Sequence, residues 1–226
     1  MTMDTAMPLA ASAVDAALLV LLVSQRTYRT LPAFFSYQAW CLCSGIAGFL
    51  VLRFFLRDYV GFYLLNITGD ALFQFAVLVE LGRVVLRHNR VAAPRRAVIV
   101  LLLITAILMV WSLARWTLPE HLPQPILLAI RMRQLFSVLQ FASLLALVWL
   151  STLRGLRWPE RALQIATGLG FYFLIDLAVT ILHTHQTFGR QFVSLDHVAG
   201  FSYLGVLAYW VFCFTRNERD RREVTP

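Results

Sequence analysis

The chain has 226 residues, of which 59% are hydrophobic, and a net charge of +8 that rests on 20 arginines and no lysine. A soluble globular domain averages about 45–50% apolar residues, so this composition excludes one. Nucleic-acid binding is not indicated either, because the arginines sit between long apolar runs instead of on a compact basic module.

Apolar runs of roughly 18 or more residues read as helices that cross a bilayer. Seven are expected, near 7–24, 33–53, 62–85, 97–116, 126–150, 162–183 and 198–215. They do not alternate in polarity as barrel strands do. The expected fold is therefore all-α, a single polytopic membrane bundle over residues 1–226.

The first run has Asp4 before it, Asp15 inside it and no preceding positive charge. It reads as a marginal span that is retained, not as a signal peptide. Pro32 suits the start of the second helix. Cys41 and Cys43 in that helix, like Cys213 in the last, read as buried thiols without metal or disulfide spacing. The third run carries Asn66, Asp70 and Gln74 at four-residue intervals, then Glu80 with Arg83 a turn on. The basic loop from His88 to Arg96 follows, and then the fourth run, with Trp111 and Trp116 at its outer end. Pro119, Pro123 and Pro125 stiffen the next connection. The fifth run bears Arg131, Arg133, Ser137 and Gln140, and the sixth bears Asp176, Thr180 and His183. A longer loop to His197 leads into the seventh run and a tail of mixed charge.

The arginines assign an orientation. The connections after the first, third, fifth and seventh runs hold fourteen of them, the opposite connections hold four, and Arg131 and Arg133 lie within the fifth run. Cationic loops stay cytoplasmic, so the N-terminus is expected outside and the C-terminus in the cytoplasm of a bacterial inner membrane. The basic loops would meet anionic headgroups or a protein partner. Small residues four apart, Ser44 with Gly48 and Ala162 with Ala166 and Gly170, allow close helix approach within the chain or in a homo-oligomer.

Ionisable groups inside a membrane are costly and usually face a bundle interior. Asn66, Asp70 and Gln74 share one helix face, as do Arg133, Ser137 and Gln140, and as do Asp176, Thr180 and His183. At the helical rise, Asp70, Arg133 and Asp176 each fall about 10–12 Å below the outer end of their runs. Asp15 falls at a similar depth. Arg133 is expected to pair with Asp70 or Asp176, because an unpaired charge there would be neutralised or expelled. Such a layer serves as a structural polar core, as a pocket for a small polar ligand, or as a proton path. The outer histidines His121, His183, His185 and His197 are metal-ligating residue types, but their spacing matches no metal motif.

Several seven-helix classes are excluded. A retinal Schiff base needs a lysine, and there is none. No nucleophile–base pair or metalloprotease motif supports an enzyme, and no other cofactor is indicated.

The stretch Arg29 to Tyr37, the Val79-Glu80-Leu81 triplet, Arg133 with Leu139 and Gln140, and Gly168 to Phe171 followed by Asp176 together resemble a group of small bacterial seven-helix membrane proteins. No chemistry is assigned to that group, so the resemblance carries over a fold and no site residue. In topology alone the chain is also similar to the seven-helix sensor modules of bacterial receptors. The expectation is a non-enzymatic, receptor-like module acting through a partner. The alternatives are a small-solute or proton-coupled transporter and a structural subunit of a membrane complex.

Overall fold

The computed structural model describes residues 3–55, 59–89, 124–185 and 190–223. Six α-helices account for nearly all of them: α1 (Met3–Ser24), α2 (Pro32–Phe54), α3 (Tyr59–His88), α4 (Gln124–Leu153), α5 (Glu160–His185) and α6 (Arg190–Glu223). The fourth expected span, 97–116, lies outside the described residues.

Among the described residues, five helices are long and apolar enough to cross a membrane: Pro32–Phe54, Gly61–His88, Arg131–Leu153, Glu160–Leu182 and His197–Arg216. The described apolar part of α1, Leu9–Ser24, is shorter. The protein is thus an α-helical membrane protein. Its outward surface agrees: Val20, Leu72 and Trp149 are 70%, 66% and 67% exposed, and Phe54, Leu153 and Phe212 are similar. So many large exposed apolar side chains along helices would be an aggregating surface in water and are an ordinary one in lipid. Helices suit lipid because each satisfies its own backbone hydrogen bonds.

Helices run past the apolar stretches that announce them. The third apolar run, 62–85, becomes Tyr59–His88, and the last, 198–215, becomes Arg190–Glu223. Hydropathy falls at the membrane surface, whereas the backbone hydrogen-bond ladder continues into water. Breaks occur where local chemistry enforces them. Pro32 opens α2 at its first position, where a missing N–H costs nothing. Gly155, at φ +60°, closes α4. Its N–H bonds to Thr152 O at 3.0 Å and Leu156 N–H bonds to Ser151 O at 2.9 Å, the paired bonds of a Schellman cap.

The chain divides into two compact units, residues 1–77 with 198–226, and residues 78–197. In the first, α1 packs against α2, and a 3-10 turn, Thr27–Arg29, joins them. Its core is Leu18, Leu22, Phe34, Val206, Leu207, Trp210 and Phe214. In the second, α4 packs against α5 around Leu144, Ile165, Leu169 and Phe173. The small residues singled out in the sequence serve these internal contacts. A Cβ on Gly170 would come within 3.1 Å of Leu144, and one on Gly48 within 3.3 Å of Phe62.

Candidate functional site

Polar side chains inside the helices gather into two groups, one in each unit. The group in residues 78–197 is built on an ion pair. Arg133 of α4 donates from Nη2 to Asp176 Oδ1 of α5 at 3.0 Å. Ser137, one turn from Arg133 on the same face, donates to the other carboxylate oxygen, Asp176 Oδ2. Asp176 is one of the two acids expected for Arg133. Gln140 is buried a further turn along that face. Arg131 is exposed, as suits an arginine directed to headgroups. Two buried polar groups here have no partner among the described residues: the whole amide of Gln134, beside Arg133, and Thr180 Oγ1, one turn from Asp176.

The group in the first unit contains acids held by aromatic donors. Trp40 of α2 donates its indole Nε1–H to Asp70 Oδ1 of α3 at 2.8 Å. The indole also stacks on Phe73, with centroids 5.4 Å apart. It reaches Asp70 by lying across α3 at Gly69, where a Cβ would overlap Cζ2 and come within 2.7 Å of Cε2. Tyr203 of α6 donates its hydroxyl to Asp15 of α1, 3.0 and 3.1 Å from the two carboxylate oxygens. Asp15 is only 3% exposed. Tyr203 is its one hydrogen-bond partner among the described residues, and no described arginine or histidine pairs with it. Gln74 Nε2 donates to Tyr37 Oη at 3.0 Å. The thiol of Cys41, half-buried, sits among these groups within interaction range of Asp70, Tyr203, Asp15 and Tyr37.

Two further buried amides lie in the same unit. Gln38 is wholly buried on α2 between Phe34 and Cys41, and neither its Nε2 nor its Oε1 has a partner among the described residues. Asn66, one turn from Asp70, has a buried Oδ1 in the same condition. A buried polar group without a partner costs about 1–3 kcal/mol.

Toward the α1–α2 turn the group ends at an aromatic block. Phe34 packs edge-on to Trp210 at 5.0 Å and stacks with Phe214 at 6.3 Å. All three are at most 1% exposed. Phe34 lies seven residues from Cys41, and Trp210 seven from Tyr203, about 10 Å along each helix. Below the block, Gln25 Nε2 donates to Phe214 O at 2.8 Å and fastens the turn.

The residues expected to share a layer are divided between the two units. Asp15, Asn66, Asp70 and Gln74 belong to one unit, and Arg133, Gln140 and Asp176 to the other. Sequence reasoning missed Trp40, Tyr37 and Tyr203. The available signal was position: tryptophan and tyrosine favour membrane interfaces, and one placed mid-span carries a polar N–H or O–H that needs a partner. Of the histidines, His121 lies outside the described residues, as do the side chains of His183 and His185, while His197 is half-buried. Among the described residues no three His, Cys, Asp or Glu side chains are placed to share a metal ion.

Comparisons with known proteins returned no relative: no family model, no curated protein and no solved structure matches the chain.

Proposed function

We propose that the chain is a seven-helix, receptor-like module of a bacterial inner membrane, non-enzymatic, which binds a small polar ligand at the Asp15–Cys41–Asp70–Tyr203 group and acts through a protein partner. The observation that carries the reading is Asp15, a nearly fully buried acid whose one described partner is a neutral hydroxyl. The same unit holds buried amides without a described partner. Buried charge inside a membrane is expensive, and a site that leaves it uncompensated is suited to a ligand that compensates it. The aromatic block of Phe34, Trp210 and Phe214 favours binding over transport, because it ends the polar lining on one side. The Arg133–Asp176–Ser137 group is a structural pin in this reading, its charges already matched.

The fourteen arginines in alternate connections support an outside N-terminus and a cytoplasmic C-terminus, with the basic loops facing lipid and the partner. Resemblance to small bacterial seven-helix proteins supports the span count and the membrane. A C-terminal reporter active only in the cytoplasm tests the orientation. Mass spectrometry of everything that leaves the membrane with the protein in mild detergent tests the function. A stoichiometric polypeptide and a small molecule that is lost on Asp15→Asn replacement support a receptor. A polypeptide without which the chain is unstable, and no small molecule, makes it a structural subunit. Solute flux in liposomes from the chain alone makes it a transporter.

A further inference from the structure

The chemistry of the group in the first unit narrows the ligand, on the reading that this group is a binding site. Its lining is rich in acceptors. Asp15 has two carboxylate oxygens and one described donor, the Tyr203 hydroxyl, although a carboxylate offers about four lone-pair positions. Asp70 adds a second carboxylate, held in place by Trp40. The buried atom of Asn66 that has no described partner is Oδ1, an acceptor, and the Gln38 amide offers both its Oε1 and its Nε2. Two carboxylates inside one apolar unit call for a ligand that donates and carries positive charge.

A bare metal ion does not fit, because no three of the acidic, thiol or imidazole side chains described here are placed to share one. A protonated amine does. Its ammonium group donates three N–H bonds from one centre, and a diammonium carries a second such centre for a second carboxylate. Tyr37 and Tyr203 supply the aromatic surroundings in which organic cations are favoured. Phe34, Trp210 and Phe214 fill the interior toward the α1–α2 turn, and Cys41 and Tyr203 lie about 10 Å further along their helices. We infer that this group recognises a small organic amine in its protonated form, with Asp15 and Asp70 as its two anionic anchors.

The test uses the full chain in mild detergent and a matched set of probes, with affinity read by calorimetry and by the rise in unfolding midpoint. The amines are butylammonium, 1,4-butanediammonium and phenethylammonium. The matched compounds are 1-butanol, 2-phenylethanol and phenylacetate. The inference requires saturable binding of at least one amine, no binding of its neutral or anionic counterpart, and an affinity lowered about tenfold or more by Asp15→Asn and by Asp70→Asn. Both variants keep the shape of the side chain, and Asn89→Ala, in the other unit, should leave amine affinity unchanged. Should either acid variant fail to fold, Gln38→Leu serves in its place and is required to weaken the amine. Saturable binding of alcohol or phenylacetate without amine binding overturns the inference and leaves the binding-site reading standing. Amine binding that is equal in wild type and both acid variants assigns the amine elsewhere and overturns it. No binding of any probe, with no small molecule in the purified protein, overturns both.

Discussion

Replacing Arg133 by methionine removes the cation of the Arg133–Asp176 pair while keeping most of the side-chain volume. Asp176 then retains only the Ser137 hydroxyl from the contacts described, in a side chain 11% exposed. Breaking a fully buried pair costs about 3–5 kcal/mol, and an exposed pair contributes about 0.2–1 kcal/mol. The guanidinium here is 30% exposed, which places the pair between those limits. We expect Arg133→Met to destabilise the protein by about 2–3 kcal/mol. The converse change, Asp176→Leu, should cost less, because a long, partly exposed arginine can turn its charge toward the membrane surface. The double variant Arg133→Met/Asp176→Leu should lose no more than about 1 kcal/mol, giving a coupling energy of about 2 kcal/mol. Equilibrium unfolding in mixed micelles, followed by far-ultraviolet circular dichroism, measures all three. An Arg133→Met protein within about 0.5 kcal/mol of wild type, or a double variant costing the sum of the singles, would refute the pin.

Gly69→Ala should destabilise by about 1–3 kcal/mol, because the new methyl displaces the Trp40 indole and breaks its bond to Asp70. The same unfolding assay reads it, and an unchanged midpoint would show that the indole does not lie on α3. In single-tryptophan proteins, brominated lipids should quench Trp149, 67% exposed, and spare Trp210, 1% exposed. Equal quenching of the two would contradict the assignment of lipid-facing and interior surfaces. Gln38→Leu should raise the stability of the unliganded protein by about 1–2 kcal/mol, since it removes a buried amide that lacks a partner. A loss of stability would show that the amide has one.

Much of the helical arrangement was readable because periodicity within one helix is a local property. The stripes Asn66–Asp70–Gln74 and Arg133–Ser137–Gln140 follow from the pitch alone, and burial of Gln74, Ser137 and Gln140 agrees with an inward face. Depth could be counted from the helix ends, which brought Arg133 down to two candidate acids. What spacing does not encode is which helix stands beside which. Trp40 and Asp70 are 30 residues apart, and Tyr203 and Asp15 are 188 apart. Nothing local to either residue announces the other. The division of polar groups between two units was equally hidden, because residues at equal depth look alike in a hydropathy profile. Aromatic residues were read as surface anchors, and in Trp40 and Tyr203 the same amphipathic character is turned inward to hold an acid.

On the proposed reading, the two groups differ as support differs from recognition. Asp176 has a guanidinium and a hydroxyl, and the charge of the pair is neutralised within the protein. Such an arrangement gains specificity of packing and has little to offer a ligand, since any newcomer must displace bonds already made. Asp15 is buried more deeply than Asp176 and is met among the described residues by a single phenol. Leucine in its place would suit a membrane helix far better, as Leu18 and Leu22 on the next turns of α1 illustrate. The acid is therefore a cost to the empty protein, and Gln38 a second cost in the same unit. Natural sequences carry such penalties chiefly where function requires them. On the binding-site reading, a ligand that relieves them gains that free energy, so stability without ligand and affinity for ligand should move in opposite directions in Gln38→Leu.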